Sequence, residues 1–272
     1  MHNESGMYNL ILITLALMAF SSPAVATPSG PVAQIEVLPG WRTSDGDHMA
    51  GLRISLAPGW KTYWRAPGDA GIPPAFSFAG SENITGVSPH WPVPEVFETN
   101  GMRTIGYHDS VVFPITILSD APDQPMRIMG QLEIGVCEEI CVPVTLTFDR
   151  LLPPGGDMNS AITAALINQP LTQADAGVGK VTCAIEPIRD GLRLTAAFDI
   201  VQSGPSEVVV IESGDAQIWV SEAQTTRNGS QLRATADMVH VSGAAFALDR
   251  SKVRITVLSG NHAVDLRGCT AG

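Results

Sequence analysis

Short segments in which apolar and polar residues alternate with a period of two recur along most of the chain. Turn-forming residues separate these segments, and the 272-residue sequence contains 20 prolines and 26 glycines. The alternation is typical of half-buried strands, and closely spaced Pro and Gly favour the turns between them. The clearest segments are residues 35–38, 52–56, 111–118, 192–194, 208–211 and 252–258. We therefore predict an all-β fold built from antiparallel β-sandwiches.

The strand pattern is interrupted once, near the middle of the chain. Residues 151–156 read LLPPGG, which is a linker composition, and residues 159–167 contain N-cap candidates followed by good helix formers. Pro170 then ends the helical pattern. We predict two β-sandwich domains, at 27–152 and 175–272, joined by a short linker at 153–174 that contains one helix.

The N-terminal region predicts export. Residues 10–20 are almost entirely apolar, and they are followed by Ser-Ser-Pro and by an Ala-Val-Ala sequence that ends at Ala26. This is the pattern of a secretory signal peptide with its cleavage site. The run is shorter than the ~20 apolar residues that a membrane span needs. We expect a signal peptide at 1–26, no membrane span after cleavage, and a periplasmic location, where disulfides persist.

Charge and motif content argue against several classes of function. The formal net charge of −11 disfavours nucleic acid and anionic lipid as partners. The sequence contains no hydrolase, zinc-protease or phosphate-loop motif, and its six histidines are scattered. We therefore predict neither a metal site nor a cofactor.

The four cysteines are the most informative reactive residues. Three residues separate Cys137 from Cys141 in the sequence GVCEEICVPV, whereas Cys183 and Cys269 bracket the second predicted domain. Four cysteines allow three connectivities, of which the simplest keeps each bond within one domain. In that pairing, loop-closure entropy gives about 4.5 kcal/mol for the distant pair and only about 2 kcal/mol for the near pair. We predict Cys183–Cys269 as the structural disulfide.

The near pair has a defined position on its predicted hairpin. Even-numbered residues are apolar on both sides of it, so side-chain alternation places Cys137 and Cys141 together on the outer face, where a partner's thiol can reach them. Glu138 and Glu139 lie in the turn between them, and negative charge disfavours a thiolate. A dithiol without thiolate stabilisation is the more reducing partner. We therefore expect this pair to donate electrons.

Three interpretations of the near pair remain open. It is a redox pair, an inert hairpin disulfide, or part of a copper site. In the second case the protein is a non-enzymatic interaction module that binds through the aromatic residues near Trp60. A copper site requires further His or Met ligands, and none forms a spaced cluster with the cysteines. The candidates are His90, His108, Met126 and Met129.

Several motifs in the first half of the chain resemble those of a known family. They are GWKTYWR at 59–65, PGDAGIPP at 67–74, WPVP at 91–94, GY at 106–107, FP at 113–114 and CEEICVP at 137–143. Together they resemble the N-terminal periplasmic domain of DsbD-type thiol:disulfide interchange proteins, in particular the ScsB-like branch. The resemblance covers about residues 30–150.

The resemblance implies an immunoglobulin-like sandwich in which Cys137 and Cys141 exchange electrons with periplasmic thiol-disulfide proteins, a protein-disulfide reductase or interchange activity. Full-length family members carry transmembrane helices, and this sequence has no second long apolar segment. We therefore expect a stand-alone soluble protein that receives electrons from a separate membrane protein. The family also covers its cysteines with a cap loop, which corresponds here to residues 97–101. Phe97 and Tyr107 are candidates for the covering aromatic residue, and Glu98 is a candidate modulating residue. Alternatively, both aromatic residues belong to the core.

Overall fold

The computed structural model describes residues 30–68, 70–99 and 101–272. The predicted signal peptide and its cleavage site at Ala26 lie outside these residues. Antiparallel strands dominate the described part of the chain, which contains a single α-helix. The predicted all-β class with two sandwiches is confirmed.

Ten strands of the described chain form the first sandwich. They are β1 (Ala33–Arg42), β2 (His48–Leu56), β3 (Lys61–Tyr63), β4 (Ala75–Ser77), β5 (Gly86–Pro89), β6 (Glu95–Thr99), β7 (Met102–His108), β8 (Ser110–Leu118), β9 (Met126–Cys137) and β10 (Cys141–Leu152). One sheet has the order β1-β2-β8-β5, and the other has the order β10-β9-β3-β7-β6 with β4 also paired to β9. Apolar side chains from both inner faces form the core, as period-two alternation requires. They include Leu52, Ile54, Phe113, Ile115, Ile128 and Leu132.

The predicted linker helix is present as α1 (Ser160–Ile167). It begins at Asn159, whose side-chain oxygen accepts hydrogen bonds from the backbone N–H groups of Ala161 and Ile162. Such an N-cap satisfies donors that have no partner within the helix. Ile162 is fully buried in a small cluster with Leu38 and Met49. The helix therefore packs on the first sandwich.

Residues 171–272, all of which are described, form ten further strands. They are β11 (Leu171–Thr172), β12 (Thr182–Ile188), β13 (Gly191–Asp199), β14 (Val208–Glu212), β15 (Ile218–Val220), β16 (Gln224–Asn228), β17 (Gln231–His240), β18 (Arg254–Ser259), β19 (His262–Arg267) and β20 (Thr270–Ala271). The two sheets have the orders β11-β19-β18-β14 and β15-β17-β13-β12-β20, with β16 also paired to β17. Because β11 lies inside the predicted linker, the exact domain boundaries remain a prediction.

A disulfide closes the second sandwich. It joins Cys183 of β12 to Cys269, which directly precedes β20, with a Cα–Cα distance of 5.7 Å. Cys183 is fully buried. The bond connects the beginning and the end of this part of the chain, in the pairing that keeps each disulfide within one sandwich.

The two sandwiches contact each other through charged and apolar side chains. Arg65, which follows β3, forms a two-pronged ion pair with Glu212 of β14, with N–O distances of 3.2 and 3.0 Å. Arg103 of β7 forms a second ion pair with Glu222. Two residues of the second sandwich belong to the apolar core cluster of the first, namely Leu258 and Ala263. The ends of β3 and β7 are thereby tied to the second sandwich.

Candidate functional site

The near cysteine pair closes the tip of the β9–β10 hairpin. Cys137 and Cys141 form the last residue pair of the antiparallel ladder, and a disulfide joins them with a Cα–Cα distance of 4.1 Å. The backbone N–H of Glu138 donates a hydrogen bond of 3.4 Å to the carbonyl oxygen of Ile140. The turn thus consists of Glu138, Glu139 and Ile140.

The two cysteines differ in exposure. Leu132, Ile134 and Val136 are buried on the inner face of β9, as the predicted register requires. Cys137 therefore projects from the outer face, yet only 1% of it is exposed, whereas Cys141 is exposed. The expectation that both cysteines are accessible is corrected for Cys137, because side chains from another part of the chain cover the outer face there.

Tyr63 is the residue that covers the sulfurs. Its hydroxyl lies 2.8 Å from the Sγ of Cys137 and 3.2 Å from the Sγ of Cys141. The position follows from strand pairing, because Lys61 of β3 pairs with Cys137 and Tyr63 lies two residues further on the same face. Burial raises the pKa of the Tyr63 hydroxyl. The hydroxyl therefore keeps its proton at neutral pH and can donate a hydrogen bond to a sulfur.

Glycine at position 135 makes room for this cover. A Cβ atom added to Gly135 would lie 2.9 Å from Ile72 Cβ and 3.1 Å from Tyr63 Cδ2. Both contacts are too close for any residue with a side chain to be accommodated without movement. The absence of a side chain on β9 thus lets Tyr63 and Ile72 lie directly over the strand.

Phe97 lies on the same face of the sheet but further from the disulfide. The Nζ of Lys61 is 5.0 Å from the centroid of its ring, and Lys61 itself pairs with Cys137. Glu98 is exposed and forms an ion pair of 2.7 Å with Arg103. The structure therefore brings Phe97 to the cysteine face with Lys61 between them, and it turns Glu98 toward Arg103.

Tyr107 lies in the core, not over the sulfurs. Its neighbour His108 pairs with Lys61 and shares the face of the cysteines, so alternation along β7 places Tyr107 on the opposite face. The Tyr107 hydroxyl donates a hydrogen bond of 2.9 Å to the carbonyl oxygen of Pro92, and its ring packs edge-on against Phe113. Burial raises its pKa well above the usual range. Tyr107 is therefore a core residue, which was the alternative interpretation of the sequence.

The hairpin turn is acidic and carries an exposed apolar residue. Glu138 and Glu139 are exposed, and the Glu138 carboxylate lies beside Gly59, where an added Cβ would be 3.0 Å from its Oε1. Ile140, the third residue of the turn, is 73% exposed. Cys141 therefore lies among negative charge and one accessible hydrophobic side chain.

The prediction of a binding surface around Trp60 is wrong for most of the residues concerned, because they are buried. Trp64 is completely buried and Tyr63 is 2% exposed. Arg65 stacks on Trp64, with its Cζ atom 3.8 Å from the ring centroid, and turns to the second sandwich. These residues pack within the protein, so an interaction module that binds through them is not supported.

Three of the four candidate copper ligands lie in other surroundings. Met126 is fully buried, the Nε2 of His90 is 2.7 Å from Thr116 Oγ1, and the Nδ1 of His108 is 2.7 Å from Glu95 Oε1. Within residues 30–68, 70–99 and 101–272, no three His, Cys, Asp or Glu side chains are grouped so that they could hold a metal ion. In the same part of the chain, no helix is long and apolar enough to cross a membrane.

The fold and the site define a class of protein, namely tandem β-sandwiches with a disulfide at an exposed hairpin tip. Residues 33–153 match the family described as thiol:disulfide interchange protein DsbD, N-terminal. The match confirms the sequence resemblance for this segment of the chain.

A solved structure extends the similarity to both sandwiches. The crystal structure of the N-terminal periplasmic domain of ScsB from Proteus mirabilis superposes with a TM-score of 0.66 at 23% sequence identity. The similarity covers 91% of this chain and 97% of that one. At this identity it concerns the fold alone, which both proteins share. A comparison with curated proteins finds no match.

Proposed function

We propose that this protein performs thiol–disulfide exchange in the periplasm, with Cys137 and Cys141 as the exchanging pair. The observation that carries the proposal is the unequal exposure of the two cysteines in one disulfide: Cys141 is open at the hairpin tip, and Cys137 is buried beneath Tyr63. As a staple, this five-residue ring adds only about 2 kcal/mol of stability.

The asymmetry assigns a role to each sulfur. In the reduced protein, the Cys141 thiolate attacks a partner disulfide, forms a mixed disulfide with one partner sulfur and releases the other as a thiolate. The Cys137 thiolate then attacks the Cys141 sulfur, which restores the Cys137–Cys141 bond and releases the second partner thiolate. Two electrons pass from the dithiol to the partner. The Tyr63 hydroxyl is placed to donate a hydrogen bond to Cys137 while that sulfur carries negative charge.

The direction of transfer follows from the local charge. Glu138 and Glu139 flank the pair, and negative charge raises the free energy of a nearby thiolate. A dithiol whose exposed sulfur gains no thiolate stabilisation is the more reducing partner, so the protein acts as a reductant or relay. We propose thiol-disulfide proteins of the periplasm as acceptors and a separate membrane protein as the electron donor.

Covalent trapping in cells tests this function. In Cys137→Ala the exposed Cys141 can attack a partner but cannot be released, so we expect mixed disulfides with thiol-disulfide proteins on a non-reducing gel. The matched variant Cys141→Ala leaves only the buried Cys137 and should trap far less. Mass spectrometry identifies the trapped proteins. Equal trapping by the two variants, or none by either, would contradict the proposal.

A further inference from the structure

Arg65 connects the cover of the disulfide to the second sandwich. Only 10% of its side chain is exposed, and besides the ion pair with Glu212 its Nη2 donates a hydrogen bond of 3.1 Å to Thr256 Oγ1. Its other face stacks on Trp64, which is completely buried. The guanidinium is thus held on three sides, by two groups of the second sandwich and one of the first.

Only one residue lies between this buried arginine and Tyr63. The backbone N–H of Trp64 donates a hydrogen bond of 2.9 Å to the carbonyl oxygen of Ile105, which fixes the end of β3. Tyr63 is also packed from the side of the following loop, because a Cβ added to Gly71 would lie 2.9 Å from Tyr63 Cδ1 and 2.3 Å from Pro67 Cβ. Arg65 and the Tyr63 ring are thus connected by a short, tightly packed backbone segment, through which we expect a displacement of Arg65 to reach the ring.

An open cleft lies on the other side of the same segment. It has a volume of about 640 Å³ and separates the two sandwiches. Arg65, Pro67 and Gly71 line one wall, and Glu212 and Trp219 line the other. The segment after β3 consequently has the disulfide cover on one side and the interdomain cleft on the other. The cleft leaves room into which Arg65 can move if its partners are removed.

We propose that the second sandwich positions Tyr63 on the reactive sulfurs through Arg65, held by Glu212 and Thr256, and so sets the rate at which the Cys137–Cys141 bond is exchanged. This inference rests on the proposed function and gives the second sandwich a part in it. Arg65 is a positioning residue, because it touches neither sulfur. Its influence depends on the Tyr63 hydroxyl, which stabilises Cys137 as the leaving thiolate.

The test measures the rate constant for reduction of Cys137–Cys141 by dithiothreitol, followed by thiol trapping and mass spectrometry. Because Cys141 is the exposed cysteine, a small thiol attacks its sulfur and expels Cys137, so the rate reports on stabilisation of that leaving sulfur. We expect Glu212→Gln to slow the reaction roughly fivefold, within the usual range of coupling between sites. We expect Glu212→Gln to have no further effect in a Tyr63→Phe background, because the group through which it acts is already absent.

A matched control separates positioning from general loss of stability. Glu207 and Arg227 form a comparably buried, two-pronged ion pair in the second sandwich, with side chains 6% and 17% exposed. Glu207→Gln should therefore leave the dithiothreitol rate unchanged. If Glu212→Gln does not fold, Thr256→Val replaces it, because it removes one hydrogen bond to Arg65 and keeps the ion pair. A smaller slowing, again absent in the Tyr63→Phe background, is then expected.

Three outcomes would overturn the inference: an unchanged rate, a faster rate, or a slowing of equal size with and without the Tyr63 hydroxyl. The proposed function is judged separately, by exchange with a thioredoxin-fold protein disulfide. Absence of that exchange refutes the function even where Glu212→Gln alters the dithiothreitol rate. Normal exchange with an unaltered dithiothreitol rate refutes only the role of Arg65.

Discussion

Tyr63 and the two cysteines show how one side chain gives two bonded sulfurs different environments. Cys141 faces solvent, whereas Cys137 has the Tyr63 hydroxyl 2.8 Å from its Sγ and almost no exposed surface. A buried thiolate without a hydrogen bond is costly, and a donor at this distance lowers that cost. When a thiol reduces the disulfide by attack on Cys141, the sulfur that leaves is therefore Cys137, which the protein can stabilise.

Removal of the hydroxyl should slow exchange without exposing the disulfide. Tyr63→Phe keeps the ring over Gly135 and loses only the hydrogen bond, so we expect about a tenfold lower rate of reduction by dithiothreitol. Burial raises the pKa of Tyr63, so its hydroxyl loses its proton only at a higher pH than the hydroxyl of an ordinary tyrosine. The ratio of wild-type to variant rates should consequently stay constant between about pH 7 and pH 9. A ratio near one across this range would contradict the role of the hydroxyl.

At the scale of the element, the β9–β10 hairpin combines a continuous ladder with a chemically distinct tip. The turn presents Glu138, Glu139 and the 73% exposed Ile140, and Ile72 on the neighbouring segment is 42% exposed. An exposed apolar residue beside a reactive sulfur is suited to contact with a partner protein. The acidic flank favours partners with basic groups around their own active site.

The hairpin tip should affect protein partners and not small thiols. Ile140→Ser removes apolar contact area, so we expect a roughly tenfold lower rate with a thioredoxin-fold partner and an unchanged rate with dithiothreitol. Stopped-flow tryptophan fluorescence of the partner measures the first rate. The matched control is Ile167→Ser, since Ile167 is 80% exposed on the linker helix. Equal loss in both variants would show that the hairpin tip is not a specific contact.

At the scale of the whole molecule, the two disulfides lie in different settings. Cys137–Cys141 spans four positions of the chain and includes the exposed Cys141, whereas Cys183–Cys269 spans 86 and pairs a fully buried cysteine with a partly buried one. The long loop makes the second bond the more stabilising one, by the logarithmic dependence of closure entropy on loop length. The proposed exchange thus uses the bond of one sandwich, and the bond of the other contributes the larger stabilisation.

Mild reduction should open the two bonds in sequence. At intermediate dithiothreitol concentrations we expect a species alkylated at Cys137 and Cys141 alone, because Cys183 is fully buried and Cys269 is only partly exposed, whereas Cys141 is exposed. Quantitative alkylation followed by peptide mass spectrometry identifies the labelled residues. Simultaneous opening of both bonds would instead indicate that Cys137–Cys141 is an inert hairpin disulfide.

Local periodicity predicted much of this molecule, and long-range pairing supplied the rest. The register of β9 placed Cys137 on the outer face, because alternation alone decides that side. The Tyr63 contact joins residues 74 positions apart, and Arg65 meets Glu212 across 147 positions. Such contacts depend on which strands become neighbours, which a period-two pattern does not encode. For Tyr107, alternation with the polar His108 was the available signal, and it indicated the core.

The ladder below the hairpin tip has a consequence for repeated turnover. Twelve residue pairs link β9 and β10, and the disulfide adds only the outermost connection. Opening it frees a loop of five residues and removes about 2 kcal/mol at most by closure entropy. We therefore expect the sandwich to stay folded when this disulfide is reduced, so that the proposed exchange requires no refolding step between successive rounds.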